Sequence, residues 1–270
     1  MGYQPERAEL LEIVVRAAAA AAGVIRHATP RIGSIDWRTK GPTDFVSEVD
    51  LAAEARILGI VARELPGATI LAEESAATTP AERVSQGLAL VIDPLDGTTN
   101  FLHGYPEYAV SIGVLWDGEP VAAVVHDVPG NEVFTATAGG GAFLNGAPIR
   151  VSGISDPQRA LIGTGFPFKE PTDIPVYQAQ MARVMAGVAG VRRPGAASID
   201  LASVAAGRFD AFWENILSPW DFAAGMLLVR EAGGLVTDLT GGHLRAVAAA
   251  PVLAGGTAMH GWLMQVLREV

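Results

Sequence analysis

Four short acidic segments contain the residues of this chain that are best suited to chemistry. They are Asp44–Asp50, Glu73–Ser75, Asp93–Phe101 and Trp220-Asp221. In the third segment, Asp93 and Asp96 could both reach one hard cation, with the Leu95 carbonyl as a further oxygen ligand. Gly97 lets the backbone approach a ligand closely, and the backbone N–H groups of Gly97 and Thr98 could face a phosphate. This arrangement indicates a metal site that receives a phosphate-bearing ligand.

Each segment taken alone also has a structural interpretation. Asp96-Gly97 is an ordinary turn dipeptide, and Glu73-Glu74 would be a solvated pair in most proteins. Asp221 could cap a helix, and Asp50 could be a favourable charge at a helix start. An aspartyl-phosphate phosphatase motif would need its two aspartates two residues apart, and in the third segment they are three apart. An EF-hand loop would need its glycine one residue later than it occurs here.

Basic residues near these segments are equally open to interpretation. Lys40, in the loop before the first acidic segment, is interpreted as a solvated lysine rather than one on the substrate side. The pair Arg192-Arg193 could contact an anionic substrate, a neighbouring subunit or only water.

Composition narrows the class of protein. The 270 residues carry a net charge of −10, and 50% of them are hydrophobic. These values exclude a disordered chain. They also argue against a protein that binds nucleic acid, because such a protein needs a basic surface. The absence of cysteine excludes disulfides and thiolate chemistry. The acidic residues before Ala17–Ala22 are unlike a signal peptide, and the uncharged residues 246–267 are interpreted as a strand and a helix. We expect a soluble, cytoplasmic protein with no membrane partner.

Hydrophobic periodicity predicts the elements that must position the acidic segments. Helical patterns cover residues 6–28, 47–65, 174–188, 199–206, 222–232 and 257–268. Strand patterns cover residues 69–71, 88–92, 110–116, 121–126, 133–137, 161–164, 209–214, 235–237 and 247–254. We predict an α/β (α+β) protein of two halves packed as one unit. Half 1–150 carries most of the candidate metal ligands, and half 151–270 carries Asp221 and a substrate-side loop.

Two of the acidic segments resemble the signatures of the inositol monophosphatase family. Residues 93–101 match Asp-Pro-x-Asp-Gly-Thr-x-Asn-Phe, and residues 220–225 match Trp-Asp-x-x-Ala-Gly. The resemblance extends over nearly the whole chain, and residues 163–168 resemble a mid-chain loop of bacterial members. It implies a layered αβαβα sandwich of the inositol monophosphatase and fructose-1,6-bisphosphatase type, usually assembled as a homodimer.

The resemblance also implies roles for individual residues. The implied metal ligands are Glu73, Asp93, the Leu95 carbonyl, Asp96 and Asp221. The implied catalytic residues are Thr98, Glu73 and Asp50, which together orient and activate a water. Gly97 and Thr98 would hold the phosphate. The residues implied to face the alcohol part of the substrate are Asp96, Ala197, Glu214 and Asp221. Ala72 and Ala196 depart from the glycine and threonine that the family usually has at these positions, and Ala196 bears on substrate identity.

The activity implied by the resemblance is lithium-sensitive hydrolysis of a small phosphate monoester with two or three Mg²⁺ ions. A carboxylate cluster repels a phosphate unless cations reverse the local charge, and a two-metal site can stabilise both the attacking and the leaving oxygen. The expected substrate is a phosphorylated polyol or amino alcohol. Inositol 1-phosphate is the first candidate, and histidinol phosphate and fructose 1,6-bisphosphate are alternatives. A regulatory binding protein that retains the fold is a non-enzyme alternative, and a covalent aspartyl-phosphate route is a third.

Overall fold

A computed structural model describes residues 6–41, 44–75, 79–168 and 173–268 of the chain. Within these ranges, no helix has both the length and the apolar character needed to cross a membrane. The uncharged residues near the C-terminus form a strand, Ala250–Gly255, and a helix, Thr257–Arg268, as their pattern predicted.

The described residues form eight α-helices and fourteen β-strands. The helices are α1 Arg7–Ala28, α2 Glu48–Glu64, α3 Ala81–Val84, α4 Thr98–Leu102, α5 Ile174–Gly187, α6 Ala197–Ala205, α7 Pro219–Glu231 and α8 Thr257–Arg268. The strands are β1 Trp37–Gly41, β2 Asp44–Ser47, β3 Thr69–Ala72, β4 Leu88–Asp96, β5 Ala109–Trp116, β6 Glu119–Asp127, β7 Glu132–Thr137, β8 Gly141–Leu144, β9 Ala147–Pro148, β10 Leu161–Thr164, β11 Gly190–Arg192, β12 Ala211–Leu217, β13 Leu235–Thr237 and β14 Ala250–Gly255.

The strands form a hairpin and two larger sheets. The hairpin pairs β1 with β2. The seven-stranded sheet has the sequential order β3 to β9, in which β3 and β4 are parallel and the later pairs are antiparallel. Its β5–β6 turn, Asp117-Gly118, has positive φ at both residues, as the Asp-Gly dipeptide predicted. The five-stranded sheet has the order β11-β10-β12-β14-β13 and mixes parallel and antiparallel pairs.

Three apolar interfaces join these sheets to the helices in five layers. Helices α1 and α2 cover one face of the seven-stranded sheet, where the alanine-rich side of α1 is buried against alternate residues of β4, such as Leu90 and Ile92. Helices α6 and α7 fill the space between the two sheets. Helices α5 and α8 cover the outer face of the five-stranded sheet. The order of layers is αβαβα, so the predicted sandwich is confirmed.

The middle layer packs closely because glycines remove side chains from its contacts. A Cβ on Gly113 of β5 would lie 2.9 Å from the Cβ of Ala223 on α7. A Cβ on Gly225 would lie 2.5 Å from the Cβ of Leu201 on α6. Helix α7 therefore sits directly against both the seven-stranded sheet and α6, which fixes the position of its first turn.

Several elements begin or end at other residues than the periodicity predicted. Strand β4 continues through Pro94 to Asp96, where a turn was predicted, and β14 begins three residues later than predicted. Helix α6 begins at Ala197, and α7 begins at Pro219 after Ser218. The pattern also missed β11. The division into halves 1–150 and 151–270 stays a prediction.

Candidate active site

The carboxylates of Asp93, Asp96 and Asp221 form a compact cluster, in which one oxygen from each lies within 4.8 Å of the others. Asp93 and Asp96 come from the end of β4, and Asp221 comes from the first turn of α7. Asp221 is the third residue of its helix and accepts a hydrogen bond from the Ser218 N–H at 2.7 Å. Asp221 is therefore not the N-cap residue that the sequence suggested, because Ser218 occupies that position, but its side chain completes a capping box at the start of α7.

Burial and mutual repulsion make this cluster unfavourable when it is fully ionised. Asp93 is 2% exposed and Asp96 is 8% exposed. Burial raises the pKa of Asp93 well above its ordinary value, and the charges of Glu73, Asp96 and Asp221 raise it further. Burial raises the pKa of Asp96 to about 6, although hydrogen bonds from Ser198 oppose the shift. A hard divalent cation bound to the three carboxylates would remove this repulsion, so the donor set fits Mg²⁺.

Glu73 borders the same cavity as the cluster and is positioned by the neighbouring strand. It follows β3, and its N–H donates to the carbonyl of Ile92 on β4 at 3.0 Å. Lys40 of the β1–β2 hairpin donates to Glu73 at 3.1 Å and to Glu74 at 2.7 Å. Lys40 is exposed, as the sequence suggested, but its ammonium group is paired with these two glutamates and not only with water. Burial lowers its pKa, but the two glutamates more than offset that effect and leave the pKa above its ordinary value.

The hydroxyl of Thr98, at the start of α4, links its own acidic segment to the first acidic segment. This hydroxyl lies 2.8 Å from Oδ1 of Asp50 and 3.0 Å from the Leu95 carbonyl oxygen, both of which can accept its hydrogen. Asp50 is fully buried and accepts from the Ser47 N–H at 2.9 Å, so it closes a capping box at the start of α2. Burial raises the pKa of Asp50, whereas the Ser47 and Thr98 hydroxyls lower it.

The turn between β4 and α4 depends on a glycine. Gly97 has φ of 90°, and a Cβ there would lie 2.7 Å from the carbonyl oxygen of Glu107. Gly97 and Thr98 both border the cavity, as the predicted phosphate-binding role requires. The side chain of Asn100 donates to the carbonyls of Glu107 at 2.8 Å and Pro194 at 3.0 Å. The Asn100 side chain therefore connects this turn to the loop that precedes α6.

A cavity of about 550 Å³ extends from the carboxylate cluster toward the five-stranded sheet. The predicted alcohol-facing residues Ala197 and Glu214 border it, as do Asp96 and Asp221. A Cβ on Gly165 would overlap the Glu214 carboxylate, so this glycine makes room for the acid.

Arg193 also borders this cavity, whereas Arg192 is exposed on β11. The Arg193 guanidinium lies 5.1 Å from the centre of the Phe166 ring and 5.2 Å from that of Phe168. The two aromatic rings hold its charge at the edge of the cavity. Of the interpretations left open for the arginine pair, contact with an anionic substrate is therefore available to Arg193.

The structure brings the predicted site residues together, with one difference in position. Nine of the ten border the cavity, and they are Glu73, Asp93, Leu95, Asp96, Gly97, Thr98, Ala197, Glu214 and Asp221. The tenth, Asp50, is not among the described residues that border it and instead contacts the Thr98 hydroxyl. Sequence reasoning missed Ser198, whose N–H and hydroxyl both donate to Asp96, and Asp200, a buried acid that borders the cavity. No motif distinguished either residue from the apolar stretch around it.

Known proteins resemble the chain over most of its length. The profile of the inositol monophosphatase family matches residues 6–270. Nus factor SuhB of Pseudomonas aeruginosa is 47% identical over 236 residues, which are 87% of this chain and 87% of that protein. Inositol-1-monophosphatase of Mesorhizobium japonicum is 42% identical over 237 residues, 88% of each chain. A crystal structure of the extragenic suppressor protein suhB from Bartonella henselae superposes with a TM-score of 0.87 at 37% identity, over 96% of this chain and 98% of that one. This chain belongs to the inositol monophosphatase family.

Proposed function

We propose that this protein is a Mg²⁺-dependent phosphomonoesterase that hydrolyses inositol 1-phosphate to inositol and phosphate. The observation that carries the proposal is the cluster of Asp93, Asp96 and Asp221 at one end of a cavity that could hold a small phosphate ester. The name of the Mesorhizobium relative supports the choice of substrate. Histidinol phosphate and fructose 1,6-bisphosphate remain the alternatives on the same scaffold.

The residues that would hold two or three Mg²⁺ ions are Glu73, Asp93, the Leu95 carbonyl, Asp96 and Asp221. When bound, the ions would neutralise charge on the phosphate, lower the pKa of a water and stabilise the leaving alkoxide. The carboxylates contribute ligands whose positions are set by the end of β4 and the first turn of α7.

Thr98 is proposed to orient the attacking water. Because its hydrogen is directed to Asp50 or to the Leu95 carbonyl, an oxygen lone pair of Thr98 is left to accept a hydrogen bond from that water. Asp50 does not border the cavity in the described part of the chain, so it acts as a positioning residue. The N–H groups of Gly97 and Thr98 are proposed to hold the phosphate oxygens, while Ala197 and Glu214 face the alcohol.

The proposal is tested by phosphate release from a panel of esters with and without Mg²⁺. The panel contains inositol 1-phosphate, histidinol phosphate, fructose 1,6-bisphosphate, NADP and adenosine 3′,5′-bisphosphate. We expect the largest kcat/KM for inositol 1-phosphate, no release without metal, and loss of both Mg²⁺ binding and release in Asp93→Asn. A larger kcat/KM for another ester would overturn the substrate, and metal-independent release or a fully active Asp93→Asn variant would overturn the mechanism. Trapping of a phosphoenzyme in a single turnover would instead support the covalent aspartyl-phosphate route.

A second role is proposed from the names of the relatives that are 47% identical, which are called Nus factors. This name agrees with the regulatory alternative, in which the fold acts by binding a partner. The variant Asp93→Asn distinguishes the two roles. It should abolish phosphate release but leave the binding of a transcription complex unchanged. Failure of the wild-type protein to bind transcription complexes would count against the second role.

Family membership supports three further proposals. They are sensitivity of the phosphatase activity to lithium, a homodimeric assembly and a cytoplasmic location. Inhibition by LiCl but not by NaCl at equal ionic strength would test the first proposal. Sedimentation of the purified protein would test the second, and fractionation of cells that produce the protein would test the third.

A further inference from the structure

The hydroxyl group of Ser198 joins helix α6 to a predicted metal ligand on another element. Ser198 is the second residue of α6 and is fully buried. Its main-chain N–H and its hydroxyl both donate to Oδ2 of Asp96 on β4, at 2.8 Å and 2.6 Å. A serine within a helix can satisfy its hydroxyl locally, on a carbonyl three or four residues earlier. The bond from Ser198 to a distant strand therefore needs an explanation of its own.

Helix capping explains the main-chain bond but not the hydroxyl bond. The first N–H groups of a helix need partners from outside the helix. Ala196, at the N-cap of α6, has no side-chain oxygen to offer, and Asp96 supplies one to the Ser198 N–H instead. The N–H of Ala197 also bonds to this carboxylate. The variant Ser198→Ala would keep both main-chain donors, so the start of α6 would stay capped without the hydroxyl.

The two Ser198 donors fill the hydrogen-bonding capacity of one oxygen of Asp96. A carboxylate has about four lone-pair sites, two on each oxygen. The sites of Oδ2 are taken by the N–H and the hydroxyl of Ser198, and Oδ1 receives neither of these bonds. Asp96 can therefore offer one oxygen to a cation while the other is held against α6. Loss of the hydroxyl would free a lone-pair site on Oδ2 and would let the carboxylate offer both oxygens.

We propose that Ser198 is a positioning residue that determines metal specificity, because it limits Asp96 to one oxygen and so favours Mg²⁺ over Ca²⁺. Mg²⁺ is small and demands near-ideal octahedral geometry, and the two oxygens of one carboxylate lie too close together for adjacent octahedral positions around it. Ca²⁺ is larger and accepts a carboxylate through one or both oxygens in a flexible arrangement. The inference rests on the proposed Mg²⁺ site and deepens it, since it names the residue that sets the preference for this ion.

Calorimetric titration of the metal-free protein with MgCl₂ and, separately, with CaCl₂ tests the proposal without any turnover. Asp96→Asn identifies the binding step that uses this carboxylate, because that step should be lost. In Ser198→Ala we expect the Kd of Mg²⁺ at that step to rise about tenfold, since a metal ligand loses a hydrogen-bond partner. The Kd of Ca²⁺ should stay within about twofold, because Ca²⁺ can use the freed oxygen. The preference for Mg²⁺ should therefore fall about fivefold or more.

Three further variants separate this role from a purely structural one. Ser198→Thr keeps the hydroxyl and should recover the affinity for Mg²⁺. If the added methyl group prevents folding at this buried position, Ser198→Cys takes its place, and its weakly donating thiol should give a preference between those of the wild type and Ser198→Ala. Ser203→Ala is the matched control, because Ser203 is a second buried serine of α6 and is not among the described residues that border the cavity. It should leave both affinities unchanged.

Three results would overturn the proposal. They are an unchanged ratio of the two dissociation constants in Ser198→Ala, a folded Ser198→Thr variant that is as weakened as Ser198→Ala, and an Asp96→Asn variant that loses no binding step. A lower melting temperature of Ser198→Ala with an unchanged ratio would assign Ser198 a structural role only. None of these results bears on whether phosphate is released. A wild-type protein that binds Mg²⁺ but releases no phosphate from any ester of the panel would instead overturn the proposed function and leave this inference standing.

Discussion

Asp93, Asp96 and Asp221 each have one carboxylate oxygen fixed by a main-chain N–H group. The donors are the N–H groups of Leu95 at 3.0 Å, Ser198 at 2.8 Å and Ser218 at 2.7 Å, in that order. Main-chain donors in a strand end and in two helix starts cannot rotate away as side chains can. The orientation of each carboxylate is therefore set before a cation arrives, which reduces the ordering that binding requires.

The hydroxyl of Thr98 can be removed without touching a predicted metal ligand side chain. We expect Thr98→Ala to bind Mg²⁺ as the wild type does but to lose about 10²- to 10³-fold in kcat, because the attacking water would lose the group that is proposed to orient it. Titration calorimetry would measure Mg²⁺ binding, and phosphate release would measure turnover. Thr98→Ser keeps the hydroxyl and is the control. Unchanged turnover in Thr98→Ala would remove this residue from the mechanism.

At the scale of elements, the end of β4 is the feature that assembles the site. The register of β4 against β5 shifts between Asp93, paired with Ser111, and Asp96, paired with Ala109. Pro94 lies inside this irregularity, where its missing N–H breaks no regular ladder bond. The shift lets two acids from one strand point to the same cluster, which a regular strand would not do for residues three apart.

The loop after β10 determines how much room Glu214 has. We expect Gly165→Ala to displace the Glu214 carboxylate, because the added methyl group would overlap it. Since Glu214 ends in a flexible carboxylate, the variant should keep its melting temperature within about 3 °C. KM for inositol 1-phosphate should rise about tenfold, while that for 4-nitrophenyl phosphate should change little.

Gly153→Ala is the matched control for this variant, since a Cβ there meets nothing within 4 Å. Steady-state kinetics and thermal melting of both variants make the comparison. An unchanged KM for inositol 1-phosphate in Gly165→Ala would contradict the proposed role of Glu214 in facing the alcohol.

Most elements could be predicted from the sequence because each has one apolar face whose residues recur at a regular period. The prediction of site residues failed where a segment is buried on every side. Helix α6 is buried on all sides from Ser198 to Ala205, so its periodicity carries no information about which residue faces the cavity. Asp200 and Ser198 were missed for that reason. The end of β4 was missed because Pro94 ordinarily stops a strand, and β11 because its three residues are too few for a pattern. The acidic site itself was predictable, because its residues form contiguous motifs.

At the scale of the whole molecule, the site lies where three layers meet. The seven-stranded sheet supplies Asp93 and Asp96, the middle helical layer supplies Asp221 and Asp200, and the five-stranded sheet supplies Glu214. Any shift of one layer along another would separate these groups. The close glycine contacts of Gly113 and Gly225 therefore bear on function as well as on packing.

The raised pKa of Asp96 links metal binding and stability to pH. The ordinary value of 3.8 applies to the unfolded chain, and the folded value is about 6, so the folded protein retains this proton longer. The contribution of Asp96 to the free energy of unfolding is thus present below about pH 4 and is lost as the pH rises through about 6. The proposed Mg²⁺ ion would compete with this proton, so we expect Mg²⁺ to raise the melting temperature more at about pH 7.5 than at about pH 5.

Scanning calorimetry at both pH values, with MgCl₂ or NaCl at equal ionic strength, measures this difference. Asp93→Asn is the control, because it removes a predicted ligand and should show little shift at either pH. An equal Mg²⁺-induced shift at the two pH values would contradict the link between the proton and the metal.

Asp93 and Asp221 lie far apart in the chain, so a cation that binds both would restrict the conformations of the unfolded chain. A cation bound to both closes a loop that contains every element from β5 to β12, and such closure restricts the unfolded chain much as a covalent cross-link would. The chain has no cysteine with which to form a disulfide. A metal held by this cluster would therefore serve as a reversible cross-link between the ends of that long loop, and it would release them when the ion leaves.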